Sequence, residues 1–134
     1  MDYFKDNRIL IIDDTPMNLL IASKALENLG CIIDTAQSGV AGFEQIEKHI
    51  PSLILLDIMM PEMDGYEVCR KIKANEKWYD IPIIFLTAME QTEDMDEAYK
   101  AGGVDYITKP FKSEELLIRV KNHLELAASR RKNC

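Results

Sequence analysis

Along this chain, short runs of β-branched and aliphatic residues alternate with longer segments whose apolar positions recur every three or four residues. Runs of the first kind suit buried strands and segments of the second kind suit amphipathic helices, so the alternation predicts a parallel sheet covered by helices. Five such pairs can be read. The first strand is "RILIID" (8 to 13), followed by a helix that opens at Thr15-Pro16 and closes before Gly30, with Leu19, Leu20, Ala22, Leu26 and Leu29 as its apolar stripe. Thr suits an N-cap there, and Pro suits the first helical turn.

"CIIDTA" (31 to 36) is the second strand. Its helix follows Ser38, carries Val40, Phe43, Ile46 and Ile50 at helical spacing, and is stopped by Pro51. The third strand, "LILL" (53 to 56), runs straight into an acid, Asp57, then the loop "DIMMPEMDG" and a helix with Tyr66, Val68, Cys69 and Ile72. "IPIIFLTA" (81 to 88) and "EDMDEAYKAG" (93 to 102) form the fourth pair, ended by a Gly stop. The fifth is "VDYIT" (104 to 108), then Lys109-Pro110, then a helix capped by Ser113 and carrying Leu116, Leu117, Val120, Leu124 and Leu126.

The fold expected is therefore α/β, a doubly wound (βα)5 five-stranded parallel sheet of order 2-1-3-4-5 with helices on both faces. At 134 residues one domain fills the chain, here taken as 1–128, with 129–134 as a basic tail or the start of a linker. Composition adds exclusions. No apolar run is long enough to cross a bilayer, and the charged start "MDYFKDNR" lacks the features of a signal peptide, so a cytoplasmic location and no membrane contact are expected. A net charge of −7 argues against direct nucleic-acid binding. Cys31, Cys69 and Cys134 are odd in number and show no C-x-x-C spacing, which argues for reduced thiols without a structural metal.

Chemistry gathers at the strand ends. In doubly wound sheets ligands bind beyond the carboxyl ends of the strands where the winding direction switches, which for this order lies between strands one and three. Strand one ends in Asp13-Asp14 and strand three in Asp57, so three carboxylates converge there. Two like charges about 4 Å apart repel by roughly 4 kcal/mol at an effective dielectric near 20, so a cation or a proton has to join them. Hard oxygen ligands of this kind suit Mg²⁺ together with a phosphoryl oxygen. Thr87 after strand four supplies a hydroxyl, Lys109 after strand five a cation, and Ala88 leaves room for a phosphoryl group. Singly, such acids cap helices, such a Thr caps a turn and such a Lys lies on the surface. The combination at four strand ends points instead to phosphoryl transfer onto a carboxylate.

From about Arg8 to Leu126 the chain resembles the receiver domain of two-component response regulators, including the chemotaxis-regulator type, on four segments. These are "IIDD" (11 to 14), "LLDIMMPEMDG" (55 to 65), "FLTA" (85 to 88) and "YITKPF" (106 to 111). The resemblance implies a flavodoxin-like fold and a phosphoacceptor, Asp57, served by a sensor histidine kinase, a phosphotransfer protein or a small phosphodonor. It implies Mg²⁺ (or Mn²⁺) held by Asp14, Asp57 and the backbone carbonyl of Met59, with Asp13 acting through a water. Lys109 would pair with the acyl phosphate, Thr87 would move toward it, and Tyr106 would swing inward, while Ala88, Met59 and Met89 would govern access and lifetime. The Lys109-Pro110 peptide is expected to be cis. Pro61 and Gly65 are read as turn-forming and permissive backbone that holds Asp57 and Met59 in place.

The output face implied is helix four, strand five and helix five, where an output domain or a homodimer would be controlled. Helix four is acidic there (Glu90, Glu93, Asp94, Asp96, Glu97), and Met95 stands where DNA-binding dimers carry a basic residue. His49 and His123 are read as surface residues. A stand-alone receiver and a piece of a larger regulator or hybrid kinase are both open. Against the phosphorylated switch stands a phosphorylation-independent adaptor that binds a partner protein through helix four. A flavin protein is disfavoured because "DDTPMN" would repel a flavin phosphate, and a haloacid dehalogenase phosphatase because it wants D-x-D where this chain has adjacent acids.

Overall fold

The alternation of short apolar runs with helically spaced segments is realised as a five-stranded parallel sheet flanked by helices in a computed structural model that describes residues 6–88 and 92–132, apart from the side chains of 92–95 and 130–132. The strands are β1 (Arg8–Ile12), β2 (Ile32–Ala36), β3 (Leu53–Asp57), β4 (Ile83–Thr87) and β5 (Asp105–Thr108). The helices are α1 (Pro16–Leu26), α2 (Gly39–Lys48), α3 (Gly65–Lys73), α4 (Thr92–Ala101) and α5 (Ser113–Lys132), with one 3-10 turn at Glu27–Leu29. Strand order is β2-β1-β3-β4-β5.

β3 and β4 are buried along their whole length because helices cover both faces, so their sequences are continuous apolar runs rather than alternating ones. Successive side chains still divide between the faces. Leu10, Ile12, Ile54, Leu56, Ile83 and Phe85 pack with α2, α3 and α4, whereas Ile9, Ile11, Leu53, Leu55, Ile84 and Leu86 pack with α1 and α5. The edge strands β2 and β5 are only partly covered.

Several expected stripes shift. Leu20 is 54% exposed, because Leu19, Ala22 and Leu26 already define the buried line of α1 and Leu20 lies about 100° away from it around the helix. Val40, Ile50 and Leu126 are exposed as well. Ile50 lies past the end of α2 at Lys48, where helical spacing no longer applies, and Leu126 lies beyond Leu124, the last buried residue of α5 among those whose side chains are described.

Caps differ in kind. Ser38 accepts from the N–H of Ala41 at 3.1 Å, as expected of an N-cap, but the Thr15 side chain makes no cap hydrogen bond. Ser113 is the first helical residue of α5 rather than a residue before it. Gly30 and Gly102 both take the positive φ that stops their helices.

His123 is not a surface group. It is 16% exposed, with Nε2 3.1 Å from Asp105 Oδ2, so α5 is tied to β5 by a contact that helical spacing alone does not reveal. His49 is exposed, as expected. Cys69 is buried with Sγ 3.2 Å from the Ala101 carbonyl, and burial raises its pKa to about 11 against the opposing charges of Lys73 and Arg70. Cys31 is also a free thiol; Cys134 lies outside the described residues.

Candidate functional site

Register decides which strand ends meet. Ile12 pairs with Leu56, so Asp13, just past β1, and Asp57, the last residue of β3, leave the sheet side by side. Asp57 pairs with Leu86, and Thr87 with Thr108, which brings Thr87 and Lys109 to the same edge. The Lys109 N–H donates to the Thr87 carbonyl at 2.7 Å and locks β5 to β4 at that level. The Lys109-Pro110 peptide is cis.

Asp13, Asp14 and Asp57 each offer a carboxylate oxygen within 4.8 Å of the others. Asp13 and Asp57 are buried, Asp14 half-buried. Lys109 Nζ donates to Asp57 Oδ1 and to Asp13 Oδ2, both at 2.9 Å. Asp13 Oδ1 accepts from the N–H of Thr15 at 2.9 Å and from Asn18 Nδ2 at 3.4 Å. The Asp13 carboxylate thus takes one backbone and one side-chain donor from the segment that opens α1. Asn18 is a site residue that sequence reasoning missed; its only sequence signal is a carboxamide in "DDTPMN", on the first turn after the acids.

Burial pushes the Asp57 carboxyl up to about 6, the Asp13 charge adds to that, and the Lys109 ammonium opposes it. For Lys109, burial works against the ammonium, but the hydrogen bonds and charges of Asp57 and Asp13 outweigh it and hold the pKa above the usual lysine value. At neutral pH Asp57 is mostly ionised. Three carboxylates against one ammonium leave two negative charges among hard oxygen donors, a set that fits a small divalent cation.

The loop after β3 is pinned back on the strand. Gly65 N–H donates to the Ile58 carbonyl at 2.9 Å, and Asp64 accepts from the Glu67 N–H at 2.9 Å as the cap of α3. Gly65 is required for space rather than for a left-handed backbone: a Cβ there would meet the Asp57 carbonyl oxygen and lie 2.8 Å from Ile58 Cα. Glu62 takes the positive φ of this loop instead, at 69°. Met59 is 60% exposed beside the cluster. Thr87 is buried, Ala88 is exposed, and Tyr106 is half-buried with its ring edge-on to Tyr99 at 5.9 Å. Met89 and Glu90 lie outside the described residues, as do the side chains of Glu93, Asp94 and Met95; Asp96 and Glu97 are exposed, and Glu97 pairs with Arg70 at 3.4 Å. No helix among the described residues is long and apolar enough to cross a membrane.

Comparison with known proteins agrees with this geometry. A family model described as the response regulator receiver domain matches residues 9–121. Over 114 residues the chain is 41% identical to the DNA-binding dual master transcriptional regulator RpaA of Synechocystis, covering 85% of this chain and 47% of that protein, so it spans about half the length of that relative. It is 35% identical over 117 residues to Protein PilG of Pseudomonas aeruginosa, covering 87% of each. Among solved structures, a putative response regulator from Chloroflexus aurantiacus matches with a TM-score of 0.84 at 32% identity, covering 89% of this chain and 98% of that one. Strand order, the carboxylate cluster and a family match over most of the chain agree, and the chain belongs to the receiver-domain family of two-component response regulators.

Proposed function

We propose that this domain is a phosphorylation-dependent switch that accepts a phosphoryl group on Asp57 from the histidine of a sensor kinase, from a phosphotransfer protein or from a small phosphodonor. The observation that carries this reading is Lys109 Nζ at 2.9 Å from both Asp57 and Asp13, inside a cluster of three carboxylates. Asp57, ionised at neutral pH with its pKa about 6, attacks phosphorus as the P–N or P–O bond to the donor breaks; an acyl phosphate forms and the donor leaves with its electron pair.

Asp14, Asp57 and the Met59 carbonyl would hold Mg²⁺ or Mn²⁺, with Asp13 contributing through a water. When bound, the ion would supply charge neutralisation for the transferring group. Asp13 suits an indirect role because both its oxygens already have protein donors. Lys109 pairs with the new phosphate, Thr87 hydrogen-bonds to it, and Tyr106 responds, which biases the two-state face built from α4, β5 and α5. That face is the surface for an output domain or a second copy. Ala88 leaves room for the phosphoryl group, while Met59 and Met89 limit water access and so set its lifetime. The domain's chemistry is limited to accepting and losing its own phosphoryl group.

Intact-mass spectrometry after incubation with acetyl phosphate, with and without Mg²⁺, tests this. The expected result is a Mg²⁺-dependent gain of one phosphoryl mass that disappears in Asp57→Asn. A gain that persists in Asp57→Asn, or no gain together with no beryllium fluoride binding, sinks the reading and leaves the adaptor.

A further inference from the structure

A buried carboxylate needs both of its oxygens partnered, and the two oxygens of Asp13 are divided between different donors. Oδ2 faces Lys109 and, through it, Asp57. Oδ1 faces the start of α1, where the Thr15 N–H and the Asn18 amide reach it. Rotation about the last side-chain bond of Asp13 would exchange these faces, so whatever holds Oδ1 also sets where Oδ2 points.

The start of a helix normally supplies such donors from its first backbone N–H groups. Here Pro16 opens α1 and has no N–H, and the N–H groups of Asn18 and Leu19 both go to the Thr15 carbonyl, at 3.0 and 3.2 Å. Thr15 gives one backbone donor to Oδ1, and the Asn18 side chain supplies another. Asn18 stands five positions after Asp13, which places the amide on the first helical turn, directly beside the strand end.

We infer that Asn18 is a positioning residue for the cation site: its side-chain amide holds the Asp13 carboxylate so that one oxygen stays turned toward Lys109 and the divalent ion. This rests on the Mg²⁺-dependent reading above. Asn18 acts through Asp13 and touches no reacting atom. Removing a partner that orients a metal-site group typically costs about 10–100-fold in metal affinity, and the 3.4 Å contact places Asn18 at the weak end, about tenfold.

The test is calorimetric titration of the full chain with Mg²⁺ for wild type, Asn18→Ala and Asn18→Leu, beside thermal unfolding of each in chelator. Leu keeps the volume of Asn and removes the donor, and Ala removes both. Expected are dissociation constants raised about tenfold in both variants, with metal-free melting temperatures close to wild type. A role confined to building α1 would lower the melting temperature and leave Mg²⁺ affinity alone. Affinity within twofold of wild type in either folded variant overturns the inference. Should one variant fail to fold, the other decides. A wild type that itself binds no Mg²⁺ overturns the phosphoacceptor reading along with the inference, and this is distinct from a wild type that binds beside variants that bind equally well.

Discussion

Lys109 Nζ lies 2.9 Å from Asp57 Oδ1 across 52 residues of sequence, and the same nitrogen lies 2.9 Å from Asp13 Oδ2. One ammonium thereby separates two buried acids that would otherwise face each other. Without a metal, this bridge is the principal source of positive charge in the cleft among the described residues.

Lys109→Ala is expected to cost about 3 kcal/mol of metal-free stability, because it leaves two buried carboxylates without their shared cation. If the proposed Mg²⁺ occupies the cluster, it would replace part of the missing charge, and the deficit is expected to narrow when the ion is added. Urea unfolding in chelator and in saturating Mg²⁺ measures both quantities. A variant as stable as wild type in chelator contradicts the bridge.

The raised Asp57 pKa makes stability depend on pH. An unfolded Asp titrates near 3.9, while the folded one titrates at about 6, so between these values the native state binds more protons than the unfolded state. Stability contributed at Asp57 is thus kept below pH about 4 and lost as pH rises through about 6, with a ceiling of about 3 kcal/mol. Asp57→Asn removes that loss. In chelator its stability relative to wild type should climb across this window and level off above it; a difference that stays flat with pH would contradict the assignment.

At Gly65 a methyl group would meet the Asp57 carbonyl and Ile58 Cα, both backbone atoms that cannot swing aside. Gly65→Ala should therefore destabilise the fold by about 1–3 kcal/mol and displace the end of β3. Acetyl phosphate labelling should fall more steeply than at a control site such as Gly30, which lies at the end of the 3-10 turn away from the loop.

Asp105 joins β5 to α5 through Arg119 at 2.7 Å and His123 at 3.1 Å. Replacing it with Asn weakens both contacts; with Arg119 partly exposed the cost should be about 1 kcal/mol. Amide hydrogen exchange in the middle of α5 is expected to quicken while that of α1 is unchanged. Equal protection in the variant would show that apolar packing of Leu116, Val120 and Leu124 alone holds the helix.

The five βα pairs could be read from the chain because short continuous apolar runs and an apolar periodicity of 3.6 residues are local properties, and the acids at strand ends could be read because an apolar run that stops on Asp is visible in one dimension. The start of a helix after Ser38, Gly30 as a stop and the grouping of Asp13, Asp14 and Asp57 follow from the same local rules and from the strand order. Register and packing decided the rest. Periodicity gives the phase of a helix but not how wide a stripe its neighbours cover, so Leu20 and Val40 ended in solvent. Nor does it say which distant side chain will face a given carboxylate. Asn18 on Asp13, His123 on Asp105 and the two-way reach of Lys109 depend on where separate elements sit in space, and tertiary packing sets that.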